Sequence, residues 1–221
     1  MRSQATASLK VAAFLILLAS SSARAATPLD DLIKPVPGNS ACFTRIYDAA
    51  HLRKNPRQKV TSVTVWLMYG MPSTPGAPVN GVDFGIALTR RDDPTPVFAG
   101  GGCAWDAQAN RDTSDRRMFK EHKEDAGVIC TMLAQPDVFE VSSAEEGTPV
   151  LFDRGKDRDT MMLYLMDGLS MVRRKDRAKH LDVDLGTADR VFQLRRAAIK
   201  DCAAVENALT EREPAPSPAR R

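Results

Sequence analysis

The sequence predicts a mainly β protein, an antiparallel sandwich or open barrel carrying a C-terminal amphipathic helix and two disulfides. Three observations lead there. Short apolar, β-branched runs recur at spacings of roughly ten residues, divided by Pro, Gly and Asp turns. Four cysteines, Cys42, Cys103, Cys130 and Cys202, lie far apart along the chain. Near the end the apolar period changes: Ile199, Cys202, Val205 and Leu209 recur at helical spacing, which predicts one helix over Ala197–Leu209.

The first 25 residues stand apart. Arg2 and Lys10 open a weakly basic stretch, Val11 to Ala19 is a short apolar run, and Ala23-Arg24-Ala25 follows three serines. This is the pattern of a Sec-type signal peptide cleaved near Ala25. The apolar run is far below the roughly 20 residues that span a bilayer. No later segment reaches that length, so the mature chain is expected to have no membrane span. Three of the 31 basic residues fall in this leader, which leaves 28 basic against 28 acidic residues. The mature chain is therefore near neutral. It lacks the basic field that nucleic-acid binding needs, so no nucleic-acid partner is expected.

Export gives the cysteines a meaning, because an even number in an oxidising compartment reads as disulfides. Three pairings are open to sequence; the preferred one is Cys103–Cys130 with Cys42–Cys202. The chain-entropy relation assigns about 3.5 and about 5 kcal/mol to loops of those lengths, as upper values. The close pairs that zinc sites use are missing.

Residues 26–41 hold Pro28, Pro35 and Pro37 and read as an extended lead-in. A single domain over 42–209 follows. Residues 42–47 start a strand, and Asp48 to Lys54 is a helical turn closed by Pro56. Val60 to Tyr69 is rich in β-branched and aromatic residues, a strand. Val82, Phe84, Ile86 and Leu88 alternate with Asp83, Gly85, Ala87 and Thr89, the period of a half-buried strand. Val97 to Cys103 forms another, ending in Gly100-Gly101-Gly102, where backbones pack closely. Residues 106–127 form a long polar loop. Strands are expected at Val128–Leu133, Val138–Ser142 and Val150–Asp153. Asp167-Gly168 between apolar runs predicts a type I′ hairpin that pairs Met166 with Leu169, Tyr164 with Met171 and Leu163 with Val172. Arg173 to Lys179 reads as a charged connection to strands at Leu181–Leu185 and Arg190–Leu194. Residues 210–221 form a disordered Pro-rich tail.

Chemistry is sparse. The histidines are His51, His122 and His180. Asp48 and His51, three apart on a helical turn, are the weak catalytic candidates as an acid–base orienting pair, although that spacing arises on any polar helix surface. Ser in a nucleophile elbow, phosphate loops and paired metal-ligand spacings are missing, so no cofactor and no metal are expected. Asp153 to Asp159 resembles a calcium loop but fails its Gly and Glu positions. Met161, Met162, Met166 and Met171 raise Cu(I), yet Met in an apolar hairpin is core filler.

Several phrases resemble a family of small exported proteins of alphaproteobacteria. They are Cys42-Phe-Thr-Arg-Ile-Tyr-Asp-Ala-Ala-His51 running on to Val60, Gly101-Gly-Cys103 with Cys130, and Asp189-Arg-Val-Phe-Gln-Leu-Arg195 leading to Cys202. Where that family often carries a Cys-Asp-Gly-Gly turn, this chain reads Gln135-Pro136-Asp137-Val138. The resemblance implies an exported, disulfide-braced β-rich domain and brings no activity with it. The expected function is that of a periplasmic or secreted non-enzymatic module that binds an envelope component or a protein. The alternatives are an envelope hydrolase with a loop-assembled site and a periplasmic metal-binding protein.

Overall fold

The protein is described by a computed structural model covering residues 28–70, 81–104, 119, 127–133, 147–166 and 168–210. The leader, the strand expected at 138–142, the tail from 211 and nearly all of the 106–127 loop lie outside the described residues. Ten strands lie within them: β1 (Ser40–Ile46), β2 (Val60–Tyr69), β3 (Gly81–Arg90), β4 (Val97–Ala104), β5 (Val128–Leu133), β6 (Thr148–Arg154), β7 (Thr160–Tyr164), β8 (Leu169–Arg173), β9 (Asp176–Val183) and β10 (Val191–Ala197). The helices are α1 (Ala49–Lys54) and α2 (Ala203–Thr210), with 3-10 turns at Pro28–Asp31 and Ile199–Cys202. No described helix is long and apolar enough to cross a membrane.

The mainly β antiparallel architecture, the terminal helix and both disulfides are as the sequence predicts. Of the two arrangements left open, the sheet is a barrel, and it is closed. Strands β1 to β7 follow one another around it, and β10 returns to lie between β7 and β1, completing eight strands. The side-chain alternation of each strand then divides inside from outside. On β3, Val82, Phe84, Ile86 and Leu88 point inward, each at most 4% exposed, as their period requires. They meet Phe43 of β1, Val63, Val65 and Leu67 of β2, Phe152 of β6, and Phe192 of β10. None of these inner side chains is more than 5% exposed, so the barrel is a packed core and not a channel. Phe84 and Phe152 meet edge to face, with ring centroids 5.0 Å apart.

A second apolar cluster lies outside the barrel. Trp66 and Phe98 point outward from β2 and β4 and are covered by Cys202, Val205, Ala208 and Leu209. Gly85 and Gly100 make this contact close: a Cβ on Gly85 would stand 2.2 Å from Leu209, and one on Gly100 2.6 Å from it. The predicted helix is real in its apolar spacing but shorter than Ala197–Leu209. β10 continues to Ala197, a 3-10 turn carries Cys202, and α2 begins only at Ala203. The Cys42–Cys202 bond ties that turn to β1, with Cα atoms 5.7 Å apart. The Cys103–Cys130 bond joins neighbouring β4 and β5, with Cα atoms 4.3 Å apart, inside the core.

Two local expectations are corrected. Strands β7 and β8 do not pair: β7 lies between β6 and β10, while β8 pairs with β9 and touches β4 where Phe98 meets Val172. Gly168 has the positive φ of 71° that a turn requires, but the chain leaves the barrel there instead of folding back on β7. The charged stretch beyond Arg173 is largely strand β9, which includes Lys179 and His180.

Gly101 of β4 is more tightly constrained than Gly100, because an added Cβ would sit 2.0 Å from the Thr131 carbonyl oxygen of β5. Gly101→Ala is expected to lower the unfolding free energy in urea by about 3 kcal/mol or more, the upper range of overpacking. Gly85→Ala meets a side chain that can turn, so its loss should be the smaller of the two.

Candidate functional site

With the interior filled, accessible polar chemistry falls at the barrel ends. At one end β1 starts, β10 finishes, and the chain turns from β6 into β7. The segment before β1 stoppers this end. Its 3-10 turn places Leu29, Leu32 and Ile33 in the core, each at most 3% exposed. Beside that stopper is a half-open cleft of about 580 Å³, lined by Asp30 to Lys34, Asn39 to Ala41, Arg158, Asp159 and Arg196.

Arg196 organises the cleft. Its guanidinium lies 4.7 Å from the Phe43 ring centroid, and its Nη2 donates to the Leu32 carbonyl at 2.6 Å and to the Arg158 carbonyl at 3.4 Å. Its Nε faces Asp159 at 3.4 Å. Arg154 pairs with Asp31 at 2.8 Å, a second tie between the stopper and the β6–β7 region. The Asn39 amide donates to the Lys34 carbonyl at 3.2 Å and shapes the turn into β1. Asp157 braces the β6–β7 loop, accepting from the Asp159 N–H at 3.0 Å and from the Thr160 hydroxyl. The Thr160 hydroxyl and the Asp159 N–H hold the Asp157 carboxyl below its ordinary range. Asp157, within the stretch that resembles a calcium loop, therefore serves a turn.

Asp48 and His51 lie beyond the far end of β1. Their relation is not that of an acid–base pair. Asp48 is the N-cap of α1, and its Oδ1 accepts from the His51 backbone N–H at 2.7 Å. That bond is the main cause holding the Asp48 carboxyl below its usual range. The His51 ring turns elsewhere, with Nε2 3.0 Å from Gln58 Oε1. Gln58 donates its own amide to the Val60 carbonyl at 2.9 Å, so Oε1 is the acceptor and His51 carries its proton on Nε2. Tyr47 stacks on His51 with centroids 4.7 Å apart. Burial pushes the Tyr47 phenol above its ordinary range, against the opposing effect of Arg45.

The same end holds Asp189, a fully buried carboxylate that composition did not single out. Its Oδ2 accepts from the Lys59 N–H at 2.5 Å and the Val60 N–H at 3.1 Å, pinning the start of β2 to the lead into β10. Its Oδ1 is buried without a hydrogen-bond partner among the described residues. Burial pushes this carboxyl above its ordinary range even against those two N–H bonds.

The other sequence candidates separate. His180 is on β9, where Nδ1 lies 3.3 Å from the Ser170 hydroxyl, and His122 lies outside the described residues. Met161 and Met171 are fully buried core, while Met162 and Met166 are half-buried. Among the described residues no three His, Cys, Asp or Glu side chains converge as metal ligands. The cleft holds the Ser40 hydroxyl and six charged side chains, a set suited to charge recognition. Comparison with family models, curated proteins and solved structures finds no match to this chain.

Two outcomes follow from these assignments. Asp48→Ala should expose the His51 amide to rapid hydrogen exchange, and Asp48→Asn should keep it protected, because the amide oxygen still caps the turn. For Asp189 the folded-state pKa is raised, so its contribution to stability is complete below the ordinary carboxylate value of 3.8 and is lost as pH rises through the folded value. Asp93, Asp157 and Asp184, whose pKa values are lowered, act below 3.8 instead. Asp189→Asn should remove the Asp189 share of the loss above 3.8, leaving that of Asp83, whose carboxyl burial also raises, so the stability of the variant relative to the wild type should improve as pH rises from there. Urea unfolding across pH 3 to 7 would show it, and a pH-independent difference would refute it.

Proposed function

We propose that this chain works as an exported, disulfide-braced, non-enzymatic binding module, whose ligand is an envelope component or a protein and whose binding surface is the cleft beside the N-terminal stopper. The observation that carries this reading is the contrast between a filled barrel interior and a half-open charged cleft of about 580 Å³. A packed core leaves a barrel no inner ligand site, and concave surfaces with a few placed polar groups are where ligands bind. The cleft walls are tied together by Arg196, which holds the Leu32 and Arg158 carbonyls, and this lowers the ordering cost of binding.

Export is supported by the leader pattern of residues 1–25 and by two disulfides, which persist in oxidising compartments. The compartment proposed is the periplasm or the exterior, after signal cleavage near Ala25. The barrel carries its braces at two places, one in the core and one on the terminal helix, as a domain working without cytosolic quality control would need.

Protein recovered from the producing cells should begin near Ala26 when its N-terminus is sequenced. With a soluble envelope fraction added, amide hydrogen exchange should slow at 29–41, 155–160 and 195–197. Slowing confined to α1, or slowing nowhere, would remove the cleft from the function.

A further inference from the structure

The charged side chains of the cleft are unequally committed. Asp31 is paired with Arg154 at 2.8 Å, Asp159 faces Arg196 at 3.4 Å, and Asp30 is also engaged. Arg196 is turned onto the Leu32 carbonyl and the Phe43 ring. Lys34 and Arg158 remain. Both are exposed, and among the described residues neither side chain has an ion pair or a hydrogen bond. The uncommitted charge of the cleft is therefore positive, although its total charge balances.

Arg158 is also presented on a braced backbone. Its carbonyl accepts from Arg196 at 3.4 Å, and the neighbouring Asp159 carbonyl accepts from the Arg196 N–H at 2.7 Å. The Gly155 N–H reaches the Thr160 carbonyl at 2.9 Å, closing the loop at its base. On the other wall, the Lys34 carbonyl is held by the Val36 N–H at 2.7 Å and by the Asn39 amide. The two cations thus rise from braced backbone, which removes the backbone share of the ordering cost of capturing a ligand.

We infer that the cleft binds a compact oxyanion, the carboxylate or phosphate group of its ligand, received by the Lys34 ammonium and the Arg158 guanidinium. This deepens the binding reading above and rests on it. A planar guanidinium takes two oxygens of such a group at once, and an ammonium adds a movable point charge. The acids nearby do not repel the anion strongly, because Asp31 and Asp159 are already faced by arginines. A half-open cleft also screens charge less than open water does.

The test uses the disulfide-bonded protein, with cleft amides followed by NMR. The probes are inorganic phosphate, glucuronate, an N-acetylated dipeptide with a free carboxylate, and the same dipeptide amidated. Saturable shifts at Ser40, Ala41 and Asp159 are expected with the anions and not with the amidated peptide. Affinity should fall about tenfold or more in Arg158→Gln, the loss of one charge-assisted contact, and further in Lys34→Gln/Arg158→Gln. Both positions are exposed, so folding should be unaffected, and unchanged spectra away from the cleft would verify that. Tighter phosphate than carboxylate binding would point to a phosphate-bearing ligand, and the reverse to an acid; either supports the inference. Amidated peptide binding as tightly as the acid would overturn the anion and leave the binding cleft standing. Anion binding unchanged in the double variant, or no saturable shift with any probe, would overturn the inference, while the exchange experiment with the envelope fraction separately decides the broader reading.

Discussion

Most of this molecule depends on where β10 lies. It pairs with β7 from Val191 to Arg195 and with β1 at Arg195 to Ala197, and without it the sheet would be open on two edges. Open edges offer unpaired backbone groups and invite association, and closure removes them. The same strand fixes both ends of the barrel. Asp189 just before it holds the start of β2, and Arg196 near its end holds the stopper and the β6–β7 loop. The residues that follow deliver Cys202 to Cys42 on the adjacent β1, so the long-range disulfide braces the closing seam itself.

Much of the fold was legible wherever local pattern and tertiary demand agree. The β-branched run of β2 and the strict alternation of β3 need only a packed interior and a covered exterior to become what they predict. The disagreements have a common physical cause. Asp167-Gly168 carries a turn signal that specifies a positive φ, and Gly168 has one, but a turn does not choose the strand partner. Closure offers β7 two better neighbours in β6 and β10, so the chain must leave the barrel and form a separate hairpin from β8 and β9. β9 was hidden for a related reason. It pairs with β8 alone among the described strands, most of its described side chains are exposed, and its charges resemble those of a loop.

The site was less legible than the fold. Asp48 lies at the helical turn that the sequence predicts, yet a carboxylate at an N-cap is claimed by the backbone N–H three residues on, which costs His51 its orienting acid. The cleft had no sequence signature at all. Its residues come from the lead-in, from the loop that fails the calcium pattern, and from the end of a strand, and only closure makes them neighbours. A cleft of this kind cannot be found by spacing, because no element carries more than a fragment of it.

The two barrel ends also differ in how their polar groups are held. At the α1 end several polar groups are engaged with the backbone: Asp189 with two N–H groups, Gln58 with Val60, and Arg91 with the Leu52 and Asn55 carbonyls at the end of α1. Rearranging Asp189 or Gln58 would strand a buried partner, a cost of about 1–3 kcal/mol each, so that end resists change. At the stopper end the apolar anchors Leu29, Leu32 and Ile33 carry the packing, while the charges outside them lie at the surface. Surface pairs contribute little to stability and exchange partners readily. A ligand can therefore engage the stopper end without unmaking the fold, and the β10 seam carries the packing that makes this so.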